Sequence, residues 1–172
     1  MSLIQRLLGT GRDPRENLRP LWHRVVEISR DPHWYAQDGV ADTIPGRFDM
    51  ITALLTLVIL RMEKDADLAP STALLTELFV EDMDGQLREG GVGDLMVGKR
   101  IGNLVAALGG RLGAYRDGLA SEDPALLRDA IARNMTMVEG RTADSLAESL
   151  RSFAEGLATV DGDDILAARI TR

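Results

Sequence analysis

Phe48-Asp49-Met50-Ile51-Thr52-Ala53-Leu54-Leu55-Thr56-Leu57-Val58-Ile59-Leu60-Arg61-Met62-Glu63-Lys64 decides the fold class. Phe48, Ile51, Leu55, Ile59 and Met62 recur at helical spacing, and Leu54, Leu57 and Val58 widen the apolar stripe beyond one face. A helix apolar on more than one face must be buried between neighbours. Its most hydrophobic run, Ile51–Leu60, is bounded by Asp49 and Arg61 and spans ten residues. A bilayer needs about 20, so the segment reads as a core helix.

Six further helices emerge from the same reading. Leu21, Trp22, Val25, Val26 and Ile28 predict a short helix after Pro20. His33 to Gly39 reads as a polar and aromatic loop, and Thr43-Ile44-Pro45-Gly46 as a turn. Ser71 is placed to cap a helix carrying Leu74, Leu75, Leu78, Phe79, Met83 and Leu87, which Gly90-Gly91 stops. After a Gly90–Gly98 loop, in which Asp94 is expected to cap the next helix, Ile101, Leu104, Val105, Leu108, Leu112 and Tyr115 predict that helix from about Val97 to Leu119. Ser121-Glu122-Asp123-Pro124 opens a helix over Pro124–Val138. Thr142 or Asp144 opens one with Leu146, Leu150, Phe153 and Leu157. Asp161-Gly162-Asp163-Asp164 turns the chain into Ile165–Ile170. No tract alternates as a strand does. The expectation is a single all-α domain over 1–172, an orthogonal bundle of about seven short helices.

One stripe on the helix expected over Val97–Leu119, made of Gly102, Ala106, Gly109 and Gly113, consists of small residues in register. Each glycine costs roughly 1 kcal/mol of helix propensity, which a close helix contact can offset. The favoured reading is such a contact, in preference to an open groove.

Composition restricts the chemistry. The chain has no cysteine, which excludes disulfides, thiolate metal sites and a cysteine nucleophile. Against 20 basic residues stand 27 acidic ones, a formal charge of -7 that does not favour nucleic acid. The charge is uneven. Residues 1–30 hold six arginines against Asp13, Glu16 and Glu27, whereas residues 71–94 hold six carboxylates against Arg88. A basic end and an acidic middle can each meet a complementary surface, including each other. No secretory signal is visible, and a cytoplasmic protein is expected. Leu3, Ile4, Leu7 and Leu8 leave peripheral contact with the inner face of the cytoplasmic membrane open, although two turns are marginal for it.

The candidate catalytic sets are thin. Glu77, Glu81, Asp82 and Asp84 form the densest carboxylate group, but Asp84 faces Arg88 one turn on and is expected to pair with it. A metal site would need these groups to converge with ligands from other helices. His23 and His33 lack a serine, a cysteine or an HExxH companion and read as local hydrogen-bonding residues. Gly90-Gly91-Val92-Gly93-Asp94 has no strand before it and no Gly-Lys-Ser/Thr after it, so it is not a phosphate loop. The Asp161–Asp164 run is too short for a calcium loop. Lys99, Arg100, Arg111 and Arg116 can form a local basic patch without the aromatics of a specific nucleic-acid reader.

The stretch Leu78-Phe-Val-Glu-Asp-Met-Asp-Gly-Gln-Leu-Arg-Glu-Gly-Gly-Val-Gly-Asp-Leu-Met-Val-Gly-Lys-Arg100, with Gly110-Arg111-Leu112 and Tyr115, resembles the ubiquinol–cytochrome c chaperone family. Tyr35-Ala36, Asp42-Thr43 and Gly46-Arg47-Phe48-Asp49 resemble it too. The likeness covers roughly residues 20–120, leaving 121–172 as C-terminal helices packing on that core. It implies a helical, non-enzymatic chaperone without cofactors. Its mitochondrial members assist synthesis and assembly of cytochrome b of the bc1 complex, binding near the ribosomal tunnel exit with a small partner protein. The compact chain looks like a bacterial relative, for which nascent or newly inserted cytochrome b is the implied partner. Asp82, Asp84, Arg88, Glu89, Gly93, Asp94, Lys99, Gly110, Arg111 and Tyr115 fall on the family pattern, as a shared binding surface or as residues that maintain the fold. A carboxylate-based metal site or small enzyme using Glu77, Glu81, Asp82, Asp84 and Asp94 is one alternative, and a general protein-interaction scaffold is another.

Overall fold

The computed structural model describes residues 13–89 and 94–172. Asp13 accepts the Arg15 N–H and caps a 3-10 turn, Pro14–Leu18, which runs into α1, Arg19–Ser29. Both prolines sit at helix starts, where their missing N–H has no intrahelical partner to lose. A one-turn helix, α2 (Pro32–Ala36), comes next, where sequence suggested a loop. Asp31 caps it, and Trp34 is locked in the core by donating its Nε1–H to the Ile28 carbonyl at 2.7 Å.

The central helix α3 spans Ile44–Met62. It begins four residues earlier than its apolar periodicity, because Thr43 Oγ1 accepts the Gly46 N–H and Pro45 supplies a preset first-turn angle. The expected Thr43–Gly46 turn is thus the cap and first turn of α3. Gly46 is required there, since a Cβ would lie 2.0 Å from the Ala41 carbonyl oxygen. Burial of α3 runs unbroken from Thr52 to Leu60. Its two core threonines donate to carbonyls one turn back, Thr52 to Phe48 and Thr56 to Thr52, so no hydroxyl is left unsatisfied there.

Helix α4 is Ser71–Glu89, beginning at Ser71 itself, and α5 is Asp94–Ala120, starting three residues before the expected Val97. Asp94 is therefore the first helical residue of α5. The capping role expected of its side chain, and the glycines at 90–93, lie outside the described residues. Helix α6 is Pro124–Asn134, capped by Asp123. It stops four residues short of Val138 because the chain turns extended at Met135 and pairs with the segment after α2. Ala41 N–H donates to Thr136 O and Val138 N–H to Gly39 O, both at 2.9 Å. Helix α7 is Asp144–Thr159, and α8, capped by Asp161, is Gly162–Leu166 rather than Ile165–Ile170.

The helices pack crosswise around α3, which touches α1, α4, α5 and α7, while α6 lies between α5 and α7. Their buried side chains form one continuous core. The all-α orthogonal bundle expected from sequence is what forms, with eight α-helices and the 3-10 turn among the described residues. The added α2 is a single capped turn.

A close helix approach is set by a glycine that the periodicity did not single out. A Cβ on Gly118 would meet Leu127 Cα at 2.7 Å, where α5 crosses α6. The stripe expected to serve this purpose does not. Gly102, Gly109 and Gly113 have no atom of another element within 4 Å of a built Cβ, and Ala106 is exposed. The stripe faces outward because Leu108, Arg111 and Tyr115 direct the opposite side of α5 into the core.

Candidate docking groove

Helices α1, α3 and α4 leave an apolar trough of about 490 Å³ between them. Val26 of α1, Phe48 and Ile51 of α3, Met83 and Leu87 of α4, and Leu104 of α5 line it. Val26, Phe48, Ile51 and Leu104 are partly buried and packed against the core, to which Met83 belongs. Tyr35 lines it too, held by a 2.7 Å hydrogen bond from its hydroxyl to the Ser29 carbonyl. Burial pushes its phenol above the ordinary range, keeping it neutral. Ile44, another lining residue, is 87% exposed, the most exposed of the large apolar side chains described.

Arg30, Arg47, Asp82 and Gln86 line it as well, and Arg30 and Asp82 together border a smaller adjoining pocket with Glu27. Arg47 pairs with Asp42 at 2.6 Å, an exposed contact, and its guanidinium lies 6.0 Å from the Tyr35 ring centre. Asp82 and Arg30 have no ion pair among the described residues.

Of the residues on the family pattern, Asp82 lines this groove. Asp84 and Arg88 form the expected intrahelical pair at 2.6 Å. Glu89 ends α4, and Lys99 and Gly110 are exposed on α5. Gly93 and the side chain of Asp94 lie outside the described residues. Arg111 and Tyr115 are inside the protein at 5% and 0% exposure. Arg111 Nη2 donates to Asp49 Oδ1 at 2.5 Å and to the Asn134 carbonyl at 2.6 Å. Asp49 Oδ2 accepts from the backbone and hydroxyl of Thr136. One charged pair thereby ties α3 and α5 to the end of α6.

The basic N-terminal region and the acidic middle do meet each other. Arg15 Nη1 reaches Glu81 at 2.8 Å and Arg19 Nη2 reaches it at 3.3 Å. Glu77, Glu81 and Asp84 rim a second, wider trough over Val80, Val97 and Ile101. Among the described residues, no three His, Asp or Glu side chains are grouped to hold a metal ion.

The histidine environments are equally informative. His33 Nε2 lies 3.3 Å from Asp38 Oδ2, while Ser145 Oγ donates to Asp38 Oδ1 at 2.7 Å. Serine and imidazole each contact the buried carboxylate separately, so the hydroxyl has no base on it and no nucleophilic triad is formed.

The family model for the ubiquinol-cytochrome C chaperone matches residues 37–172. The chain belongs to the ubiquinol-cytochrome c chaperone family. It is also similar to the solved structure described as the Cbp3 homolog from Brucella abortus, at 26% sequence identity and a TM-score of 0.79. That match covers 99% of this chain and 96% of the other. Comparison with curated proteins found no match. As a chaperone-family member the chain is non-enzymatic, and its chemistry is that of binding. The α3 and α4 walls of the groove fall within the family match, whereas α1 precedes it. No described helix is long and apolar enough to cross a membrane.

Ile44 and Arg30 line the groove although no sequence pattern marked them, beside Tyr35, which falls on the family pattern. Ile44 was hidden by its neighbours, because an isolated apolar residue before Pro-Gly reads as part of a turn. Its exposure at the start of a long helix is visible only once Thr43 is recognised as the cap.

Proposed function

We propose that this chain is an assembly chaperone for cytochrome b of the ubiquinol–cytochrome c reductase complex, holding the newly made polypeptide through the apolar groove between α1, α3 and α4. Family membership over residues 37–172 carries the reading. The groove supports it because a membrane-protein client offers apolar segments that need cover before they insert. An apolar floor with a polar rim is the anatomy of a protein-binding surface. Proximity to the ribosomal exit, a small partner protein and peripheral contact with the inner face of the cytoplasmic membrane belong to the same proposal. The outward acidic and apolar surfaces of α4 and α5 are available for them.

Deleting the gene tests the reading. Cytochrome b, followed by its haem absorbance, and the assembled complex are expected to fall while cytochrome b transcript is unchanged, and the wild-type gene restores both. Normal assembly in the deletion strain contradicts it.

A further inference from the structure

The described residues begin at Asp13, close to the second trough, the one lined by α4 and α5. Arg15 lines that trough and is fixed there by Glu81 at 2.8 Å. At about 610 Å³ the trough is larger than the α1/α3/α4 groove, and on α4 its lining runs from Thr76 to Arg88. That is about 18 Å of helix. Its apolar lining includes Val80 and Ile101, both half-buried. Among its carboxylates, Glu81 is held by Arg15 and Arg19, and Asp84 by Arg88, whereas exposed Glu77 has no ion pair among the described residues. The sequence before Asp13 carries the apolar cluster Leu3, Ile4, Leu7 and Leu8 together with Arg6 and Arg12, and no acidic residue. Gly9-Thr10-Gly11 joins that cluster to Arg12, a composition that lets a chain reverse. Even fully extended, Leu8 stays within about 18 Å of Asp13. Tethering at that range gives an effective concentration of about millimolar, so a modest apolar contact is enough to hold the segment.

We propose that residues 1–12 of this chain are the occupant of the α4/α5 trough, with Leu3, Ile4, Leu7 and Leu8 laid on Val80 and Ile101 and Arg6 beside Glu77. Helical spacing puts the four apolar residues on one face, with Arg6 off it and Gln5 opposite. Two turns of helix are marginal in water, and the trough supplies the packing that stabilises them. The chain thereby covers its own apolar α4/α5 surface, and any partner that uses this face has to displace the segment. The inference goes beyond the chaperone reading and does not depend on it.

The test uses the full chain. It has no cysteine, so Gln5→Cys accepts a single nitroxide label. The backbone amide NMR signals of Val80, Val97 and Ile101 are expected to lose most of their intensity to the label, while those of α7, which packs on α3 and α6, keep theirs. Adding Ile4→Asp/Leu7→Asp, which alters no residue of the described core, should restore the trough signals. Unaffected signals at Val80, Val97 and Ile101 overturn the proposal, including the case in which anionic phospholipid vesicles capture the labelled segment instead. So does a loss centred on the α1/α3/α4 groove, or a trough loss that the double variant leaves unchanged. Labelled chain mixed with unlabelled, isotope-enriched chain gives the last arm: intensity loss in the enriched chain means that a second copy supplies the segment, and this too overturns the proposal. Each of these failures leaves the chaperone reading untouched, because that reading is tested by cytochrome b in the deletion strain.

Discussion

Arg111 and Asp49, on helices α5 and α3, meet as a buried ion pair whose members also hold the Asn134 carbonyl and Thr136. Breaking such a pair strands a charge in a poorly solvated site, at a cost of about 3–5 kcal/mol. Asp49→Ala is expected to lose about that much in urea unfolding at neutral pH. The double replacement Asp49→Leu/Arg111→Met should recover part of it, since two apolar residues leave no charge unpaired while Thr136 and the Asn134 carbonyl still lose their partners. A double variant as unstable as the single would show that the pair contributes more than charge balance.

Three glycine-to-alanine changes separate close packing from idle flexibility. Gly46→Ala places a Cβ 2.0 Å from the Ala41 oxygen, and Gly118→Ala places one 2.7 Å from Leu127 Cα. Both contacts are with backbone atoms that cannot step aside, so both variants should melt well below the wild type. Gly109→Ala meets nothing within 4 Å and should gain about 0.5–1 kcal/mol from helix propensity. Thermal melts of the three rank them, and a destabilised Gly109→Ala would contradict the outward placement of that stripe.

Stability should fall at both pH extremes for identifiable reasons. Burial raises the Tyr115 phenol to about 12. A raised folded-state pKa gives stability that is fully present below the unfolded value near 10 and is lost as pH climbs through 12, roughly 3 kcal/mol in all. Tyr115 Oη has no hydrogen-bond partner among the described residues. Tyr115→Phe should therefore be about as stable as wild type at pH 7 and should flatten the decline between pH 10 and 12. At the acid end, the Arg15 side chain bonding to Asp13, followed by the Arg15 backbone N–H, holds that carboxyl down at about 2. The stability it brings is present above its unfolded value near 4 and is lost as pH falls toward 2. Asp13→Asn should soften that part of the acid transition.

The clasp between the basic N-terminal turn and α4 is electrostatic and exposed. Glu81 holds both Arg15 and Arg19, whose guanidinium pKa values are raised first by Asp13 and Glu16 respectively and further by Glu81. Glu81→Gln is expected to lower the melting temperature in dilute buffer, with the difference shrinking in about 0.5 M salt as the charges are screened. A difference that ignores salt would mean that Glu81 acts through packing.

The legibility of the fold tracked the strength of local signals. The α3 segment was unambiguous because apolar residues occupy more than one helical face, and Asp123-Pro124 marked α6 because cap and first turn are adjacent in sequence. Helix ends were misplaced where a tertiary partner decided them. Thr136 leaves the helix to bond Asp49, so α6 stops at Asn134 although Met135 continues its apolar pattern. The glycine stripe on α5 misled for a related reason, since small residues permit close contact and only the neighbouring helix determines whether it happens. Gly118, which does make the contact, stands apart from that register. At the groove, Asp82 was legible through the family pattern. Ile44 and Arg30 were not, because concavity arises from three helices distant in sequence.

The most direct test of the central claim places a photo-crosslinking amino acid at Ile44, and separately at exposed Glu122 outside the groove, in cells that assemble the bc1 complex. Irradiation is expected to join newly made cytochrome b to the Ile44 position and to leave the Glu122 position without it. Equal capture at both positions, or no cytochrome b at Ile44 while the wild-type chain still co-purifies with it, would contradict binding through the groove.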